Sequence, residues 1–174
     1  MQNFIIKILK DAAVKSGLNE NAFMSKSTRD NITIVKPRVE YSFLQNSIKR
    51  TGRLLAIQKV DNKRETKKEL YTIAQNIRLK LFSDEEQFRA DFTNNLFFFL
   101  PKGVNDHNGN YLKFQYQSYQ FDDEGDNRIG ENVIKVLKTY TAEYNLLATY
   151  RITETKKEDY IHSITFNNPQ IKKG

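Results

Sequence analysis

The stretch LYTIAQNIRLKLFSDEEQFRADFTNNLFFFL, residues 70–100, decides how the chain is read. Tyr71, Ile73, Ile77, Leu79 and Leu81 stand on alternate positions, interrupted by Gln75, with Thr72, Ala74, Asn76, Arg78 and Lys80 between them. Side chains of a strand alternate between its faces, so this pattern predicts a long strand with one face buried and one wet. At about 3.3 Å per residue it runs roughly 40 Å. Ser83 ends it, and Asp84, Glu85 and Glu86 follow. Ser83 and Glu86 have capping-box spacing, and carboxylates in a first turn favour the positive end of a helix. Phe88, Phe92, Leu96 and Phe99 then repeat at helical spacing, which predicts a helix lying back on the buried face of the strand. Pro101 and Gly103 stop it. The unit implies a core and carries no catalytic group.

Outward from this unit, Phe4, Ile5, Ile8, Leu9 and Ala12 predict a first helix over residues 3–16, closed by Gly17. Residues 18–31 read as a polar connection with a short turn at 22–24. Residues 32–35 read as extended, and 38–44, with Val39, Tyr41 and Phe43 alternating, as a strand entered through Pro37. A polar connection over 45–52 precedes another strand beginning at Leu54. The run 59–68 separates that strand from the organising one, with Asp61, Asn62, Lys63 and Arg64 suited to a hairpin tip. If both arms extend into this run, the hairpin projects and carries Lys59, Lys63, Arg64, Lys67 and Lys68. It is then either an arm that touches something acidic or a solvated loop.

Beyond the second helix, residues 104–110 read as a turn and 111–121 as a strand whose aromatics reach both faces at its end. Residues 122–126 read as an acidic turn. Residues 133–153 read as a strand on β propensity, with a bend or bulge near 142–145, because about 20 unbroken residues are unusual for a strand. A polar turn over 154–159, a short strand over 160–166 and a loose tail over 167–174 complete the chain. The expectation is a single domain over residues 1–166. Its fold class is α+β: an antiparallel or mixed β-sheet with long hairpins and two main helices packed on one face.

Composition narrows the function classes. The chain has 174 residues and no cysteine, which leaves no disulfide, thiolate metal site or thiol redox chemistry. No apolar run approaches the roughly 20 residues a membrane helix needs, and residues 1–10 lack the apolar core of a signal peptide. The expectation is an intracellular protein when made, without a membrane partner. A net charge of +7, from 28 Lys and Arg against 21 Asp and Glu, permits contact with nucleic acid without requiring it.

Few residues suggest chemistry. Glu65–Thr66–Lys67 and Glu154–Thr155–Lys156 share the carboxylate–x–lysine pattern of magnesium-dependent nucleases, yet both fall in charged turns without a fixed, buried frame. Asp122, Asp123, Glu124 and Asp126 could gather oxygen ligands, but their spacing does not fit a twelve-residue calcium loop. His107 and His162 are far apart and without cysteine, which argues against zinc. No phosphate loop or dinucleotide fingerprint is present. The expectation is a protein that is not an enzyme and takes no cofactor or metal. Tyr111, Phe114, Tyr116, Tyr119 and Phe121 beside Lys113 form either a stacking platform for single strands or packing and interface residues.

The order of elements resembles that of the tail-terminator, or neck, proteins of long-tailed bacteriophages and prophages. The residues that carry the resemblance are the helix from Phe4 to Ala12, the segment Lys36–Pro37–Arg38–Val39–Glu40–Tyr41 and the unit 70–100 ending at Pro101. The resemblance implies a structural protein that self-associates into a ring, hexameric in that family, at the head–tail junction. It implies tail-tube and head-connector proteins as partners, and DNA passing nearby without sequence readout. It places the protein in the bacterial cytoplasm during assembly and then in the virion neck. Lys59, Lys63, Arg64, Lys67, Lys68, Tyr111, Lys113 and Tyr119 are the expected contact residues. The alternative is a basic module that binds nucleic acid or an acidic partner without catalysis.

Overall fold

The computed structural model describes residues 1–26, 36–130 and 133–159, with side chains described outside 124–138. In chain order come helix α1 (Gln2–Lys15), a 3-10 turn (Glu20–Ala22) and strands β1 (Phe23–Ser25), β2 (Arg38–Val60) and β3 (Lys63–Ser83). Helix α2 (Glu86–Phe99) and strands β4 (Gly103–Asn105), β5 (Tyr111–Gly130) and β6 (Val133–Asp159) follow. The six strands form one sheet in the order β1-β2-β3-β6-β5-β4. Only β1 and β2 run parallel, and the other neighbours are antiparallel. The fold is therefore α+β: a mixed sheet curled into a half-barrel, with two helices.

The organising stretch folds as its periodicity predicts. Ile77, Leu79 and Leu81 of β3 are at most 1% exposed and face Leu146, Tyr144 and Ala142 of β6 in register. Phe92 and Leu96 of α2 belong to the same core, with the Phe92 ring 6.4 Å from that of Tyr144. Helix α1 adds Ile5, Leu9, Ala12 and Ala13. It ends where Gly17 adopts φ +100°: the Gly17 N–H donates to the Val14 carbonyl and the Leu18 N–H to that of Ala13. Both bonds satisfy carbonyls left over at the helix end, and a left-handed residue there favours glycine.

Gln75, which breaks the apolar alternation, is buried on the core face at 1% exposure. Its Nε2 donates to the Leu44 carbonyl at 2.7 Å and the Asn76 carbonyl at 3.0 Å. Leu44 lies within a bulge between Phe43 and Asn46, where ladder pairing is interrupted, so a polar side chain satisfies an acceptor the backbone leaves over.

Several expectations are corrected. Residues 45–52 are not a connection, because β2 runs unbroken from Arg38 through the second apolar run to Val60. Residues 122–126 are not a turn but part of β5, and residues 154–159 are part of β6. Residues 142–145 hold no bulge: the extra residue is Gln117 of β5, between Tyr116 and Ser118. The short turn falls at Glu20–Ala22, followed by a strand. No capping box forms, since Glu85 is the N-cap and the Ser83 hydroxyl accepts the Glu85 N–H at 3.0 Å instead. Phe99 is 37% exposed, and Tyr71 is 38% exposed, beyond the end of the buried face. The readings for residues 32–35, 160–166 and 167–174 lie outside the described residues.

Candidate interaction surfaces

The register of the long strands separates the sheet into a body and a ribbon. β5 begins at Tyr111, opposite Arg151, while β2, β3 and β6 continue pairing up to Val60, Lys63 and Asp159. Among the described residues, the sheet beyond Arg151 is therefore three strands wide. Asp61 and Asn62 turn the chain at its tip with φ 48° and 59°, the paired left-handed conformation of a two-residue hairpin turn.

Cross-strand charges lace the ribbon. Lys63 meets Asp159 at 3.5 Å, Lys157 meets Glu65 at 3.5 Å, and Gln58 donates to Glu65 at 3.2 Å. Such exposed pairs each contribute up to about 1 kcal/mol and fix register more than stability. Arg64, Lys67 and Lys68 have no carboxylate partner among the described residues, so the positive bias of the ribbon rests mainly on them.

One face of the ribbon is a groove of about 420 Å³ that runs across the three strands, from Leu54 and Ile57 on β2, over Arg64, Thr66 and Lys68 on β3, to Glu154, Lys156 and Glu158 on β6. Leu54 and Ile57 are 48% and 51% exposed, and Ile48, opposite Ile73 in register, is 65% exposed. Leu54 and Ile57 lie beyond the residues that join the core, whereas Ile48 lies in the row of Ile73 and the core residue Tyr150. A bulge between Glu69 and Tyr71 of β3 shifts the alternation by one residue. It brings Lys68 onto the groove face beside Glu154 and leaves Glu65 on the other. The two carboxylate–x–lysine segments thus lie on opposite faces, and no shared metal-binding geometry arises from them. Among the described residues, no three His, Cys, Asp or Glu side chains converge to hold a metal ion.

A second surface follows β5. Tyr116, Tyr119 and Phe121 are 37%, 56% and 46% exposed. Phe97 of α2 places its ring edge-on to Tyr116 at 4.4 Å and to Tyr119 at 5.4 Å, and Tyr119 packs against Phe121 at 5.7 Å. The Tyr116 hydroxyl donates to the Leu96 carbonyl at 3.0 Å, and burial raises its pKa well above the usual phenol range. These rings hold one another in place without being covered, as expected of an aromatic interface rather than a loose tail.

Of the expected contact residues, Lys59, Lys63, Arg64, Lys67 and Lys68 lie on the ribbon, with Arg64 and Lys68 on the groove face and Lys63 and Lys67 on the other. Tyr119 lies on the aromatic edge. Tyr111 and Lys113 lie at the other end of β5, opposite Asn105 and Gly103 of β4. Tyr111 covers its own strand neighbour: a Cβ on Gly103 would collide with its hydroxyl, which gives that glycine a steric reason. The structure does not join the basic and aromatic groups within one subunit, since in register Tyr119 lies opposite Tyr144 and Leu79, in the body.

Sequence periodicity missed the buried charges. Arg89 of α2 is 6% exposed and donates to Asp123 at 2.7 Å, with its guanidinium 4.6 Å from the Phe121 ring. On the face of the sheet away from Tyr144, Arg38 and Glu40 form a buried pair at 3.0 Å, and Arg38 stacks on Phe82 at 4.0 Å. Alternation along β2, with Arg38 and Glu40 both two residues apart, was the available signal. Their partners on the neighbouring strand are not visible from local sequence.

The sequence matches no protein-family model and no curated protein. Among the described residues, no helix is long and apolar enough to cross a membrane.

Proposed function

We propose that this chain is a structural assembly protein without catalysis, which self-associates into a ring in the manner of phage neck and tail-terminator proteins. The observation that carries the reading is the ribbon: Leu54 and Ile57 are about half exposed on a strand extension beyond the core. Contiguous exposed apolar side chains with a polar rim mark a surface covered in an assembly. The ribbon and the aromatic edge of β5 are different patches, so contact between them is head-to-tail, and head-to-tail contacts make rings when the rotation closes. On this reading both helices roof the same side of the sheet, and the long hairpins are the contact-making parts. The tail tube and the head connector are the partners, six-fold symmetry follows the resemblance, and the site of action is the virion neck. Negative-stain electron microscopy of the purified full-length chain tests it. Annular particles with a central opening support the reading, and a field of uniform monomers at high concentration contradicts it.

A second reading is favoured by Arg64, Lys67 and Lys68, which no carboxylate partners among the described residues. They suit phosphate contacts with nucleic acid, without base readout. DNA affinity that falls steeply with salt, and falls further on Arg64→Ala, Lys67→Ala and Lys68→Ala, would support it.

A further inference from the structure

Resting on the self-association reading, we infer that the free edge of β2 pairs antiparallel with the free edge of β5 from a second copy of this chain. The basic stretch from Lys49 to Arg53 then lies beside the acidic stretch from Asp122 to Asp126.

Among the described residues, β2 beyond Tyr41 and β5 beyond Lys113 each pair with one strand only. Residues 44–50 and 52–59 of β2, and 115–123 of β5, are exposed on both faces. Each edge therefore presents backbone N–H and C=O groups without a ladder partner, a template for a further strand.

The order of side chains along the two edges decides the partner. Followed in chain order, β2 carries Lys49, Arg50 and Arg53, then Leu54 and Ile57, with no carboxylate between Tyr41 and Val60. Followed in reverse, β5 carries Asp126, Glu124 and Asp122, then Phe121 and Tyr119. Laid antiparallel, cations meet carboxylates and aliphatic side chains meet rings, pairs that favour a ladder. Laid parallel, the same sequences set cations beside rings and carboxylates beside aliphatic groups. Antiparallel pairing through β2, β3, β6 and β5 makes β2 and β5 run in opposite directions, so neighbours in one orientation meet antiparallel. Pairing β2 with a second β2 offers its cations no carboxylate, and like charges directly across a ladder oppose it.

The rows of the sheet give the register. Asp122 lies opposite Thr141 of β6, while Arg53 shares its row with Thr153. A neighbour displaced along the strands by about twelve residues, roughly 40 Å, thus sets Asp122 beside Arg53. The same displacement sets Glu124 beside Lys49, Phe121 beside Leu54 and Tyr119 beside Ile57. These rows pass over Thr51, Gly52 and Leu55, the extra residues at bulges of β2. Both apolar pairs then share one face and both charged pairs the other, while Asp123 keeps its bond to Arg89. Without displacement, the free edges share only the rows from Ser42 to Asn46, which hold no charged residue on either edge. Stagger of this kind is also what lets tilted strands close a sheet on itself.

The absence of cysteine allows a direct test. Leu54→Cys and Phe121→Cys are made separately in the full chain, with circular dichroism checking the native fold. Ile57→Cys with Tyr119→Cys replaces the pair if either variant misfolds. Each is oxidised alone and after co-expression with the other. Disulfide dimer is expected several-fold above either variant alone in the co-expressed sample. Lys49→Glu with Arg53→Glu in the Leu54→Cys chain should lower it several-fold, and Asp122→Lys with Glu124→Lys in the Phe121→Cys chain should restore it. Equal crosslinking of Leu54→Cys alone would overturn the pairing in favour of β2 against β2, and crosslinking indifferent to both charge reversals would overturn the register. If light scattering shows an oligomer but the co-expressed chains do not crosslink, this pairing is wrong while self-association stands. If the chain stays monomeric throughout, both are wrong.

Discussion

The Tyr144 hydroxyl lies 2.7 Å from Thr93 Oγ1 at the buried junction of β6 and α2. Thr93 spends its own proton on the Arg89 carbonyl at 2.7 Å, so Tyr144 is the donor between the two. The bond ties the sheet to the helix at a point where Phe92 and Phe97 both approach the Tyr144 ring. Tyr144→Phe keeps the packing and leaves Thr93 one acceptor site short. It is expected to cost about 1 kcal/mol in urea unfolding, with a similar coupling energy to Thr93→Val in a double-mutant cycle. Additive effects would show that the bond contributes nothing.

The same hydroxyl gives an alkaline dependence. Burial, against the nearby charge of Arg89, raises the Tyr144 pKa from 10.0 to about 12. The folded state therefore holds the proton longer than the unfolded chain. Its contribution is complete below pH 10 and declines as pH rises from 10 towards 12. Tyr144→Phe should flatten the fall in stability across that window, read as denaturation midpoint against pH.

At the opposite end of the pH scale stands Asp106. Burial opposes its charge, but hydrogen bonds from Tyr150, Asn110 and the Asn108 and Asn110 backbone outweigh this and lower its pKa from 3.8 to about 2. A carboxylate depressed on folding stabilises above its unfolded value, and that stability is lost as pH falls from 3.8 towards 2. Asp106→Asn should lower stability at neutral pH and remove part of the acid dependence in that window. An acid limb unchanged in the variant would contradict the assignment.

Core and ribbon should respond differently to truncation. Leu79→Ala and Leu96→Ala remove side chains at most 1% exposed and are expected to cost about 2–5 kcal/mol in unfolding free energy. Ile57→Ala, at a half-exposed position, should change the stability of the isolated subunit by less than about 0.5 kcal/mol. A large loss at Ile57 under monomeric conditions would mean that the ribbon is covered within its own chain.

The contrast between body and ribbon also explains what the sequence discloses. Ile77, Leu79 and Leu81 are legible because one face is buried and the other wet, so burial writes a period of two into the residues. Gln45 to Arg50 carry no such period, since side chains there are exposed on both faces and pairing with β3 holds the strand. Asp122 to Asp126 have low β propensity and read as a turn, yet register with β6 keeps them extended. The bulge at Gln117 leaves no local mark. Arg89 illustrates the same limit, because its burial depends on Asp123, 34 residues away. The candidate contact residues were legible as charge and aromatic clusters. Their distribution between ribbon and edge came only from the pairing of strands.

Self-association through the exposed ribbon is tested most directly by light scattering coupled to size-exclusion chromatography on the full chain, alongside Ile57→Glu. The expected result is a wild-type mass that is a fixed multiple of 20.4 kDa across a wide concentration range, with the variant reduced to the single-chain mass while its circular dichroism is unchanged. A wild-type mass of one chain at the highest concentration, or an oligomer untouched by Ile57→Glu, would contradict it.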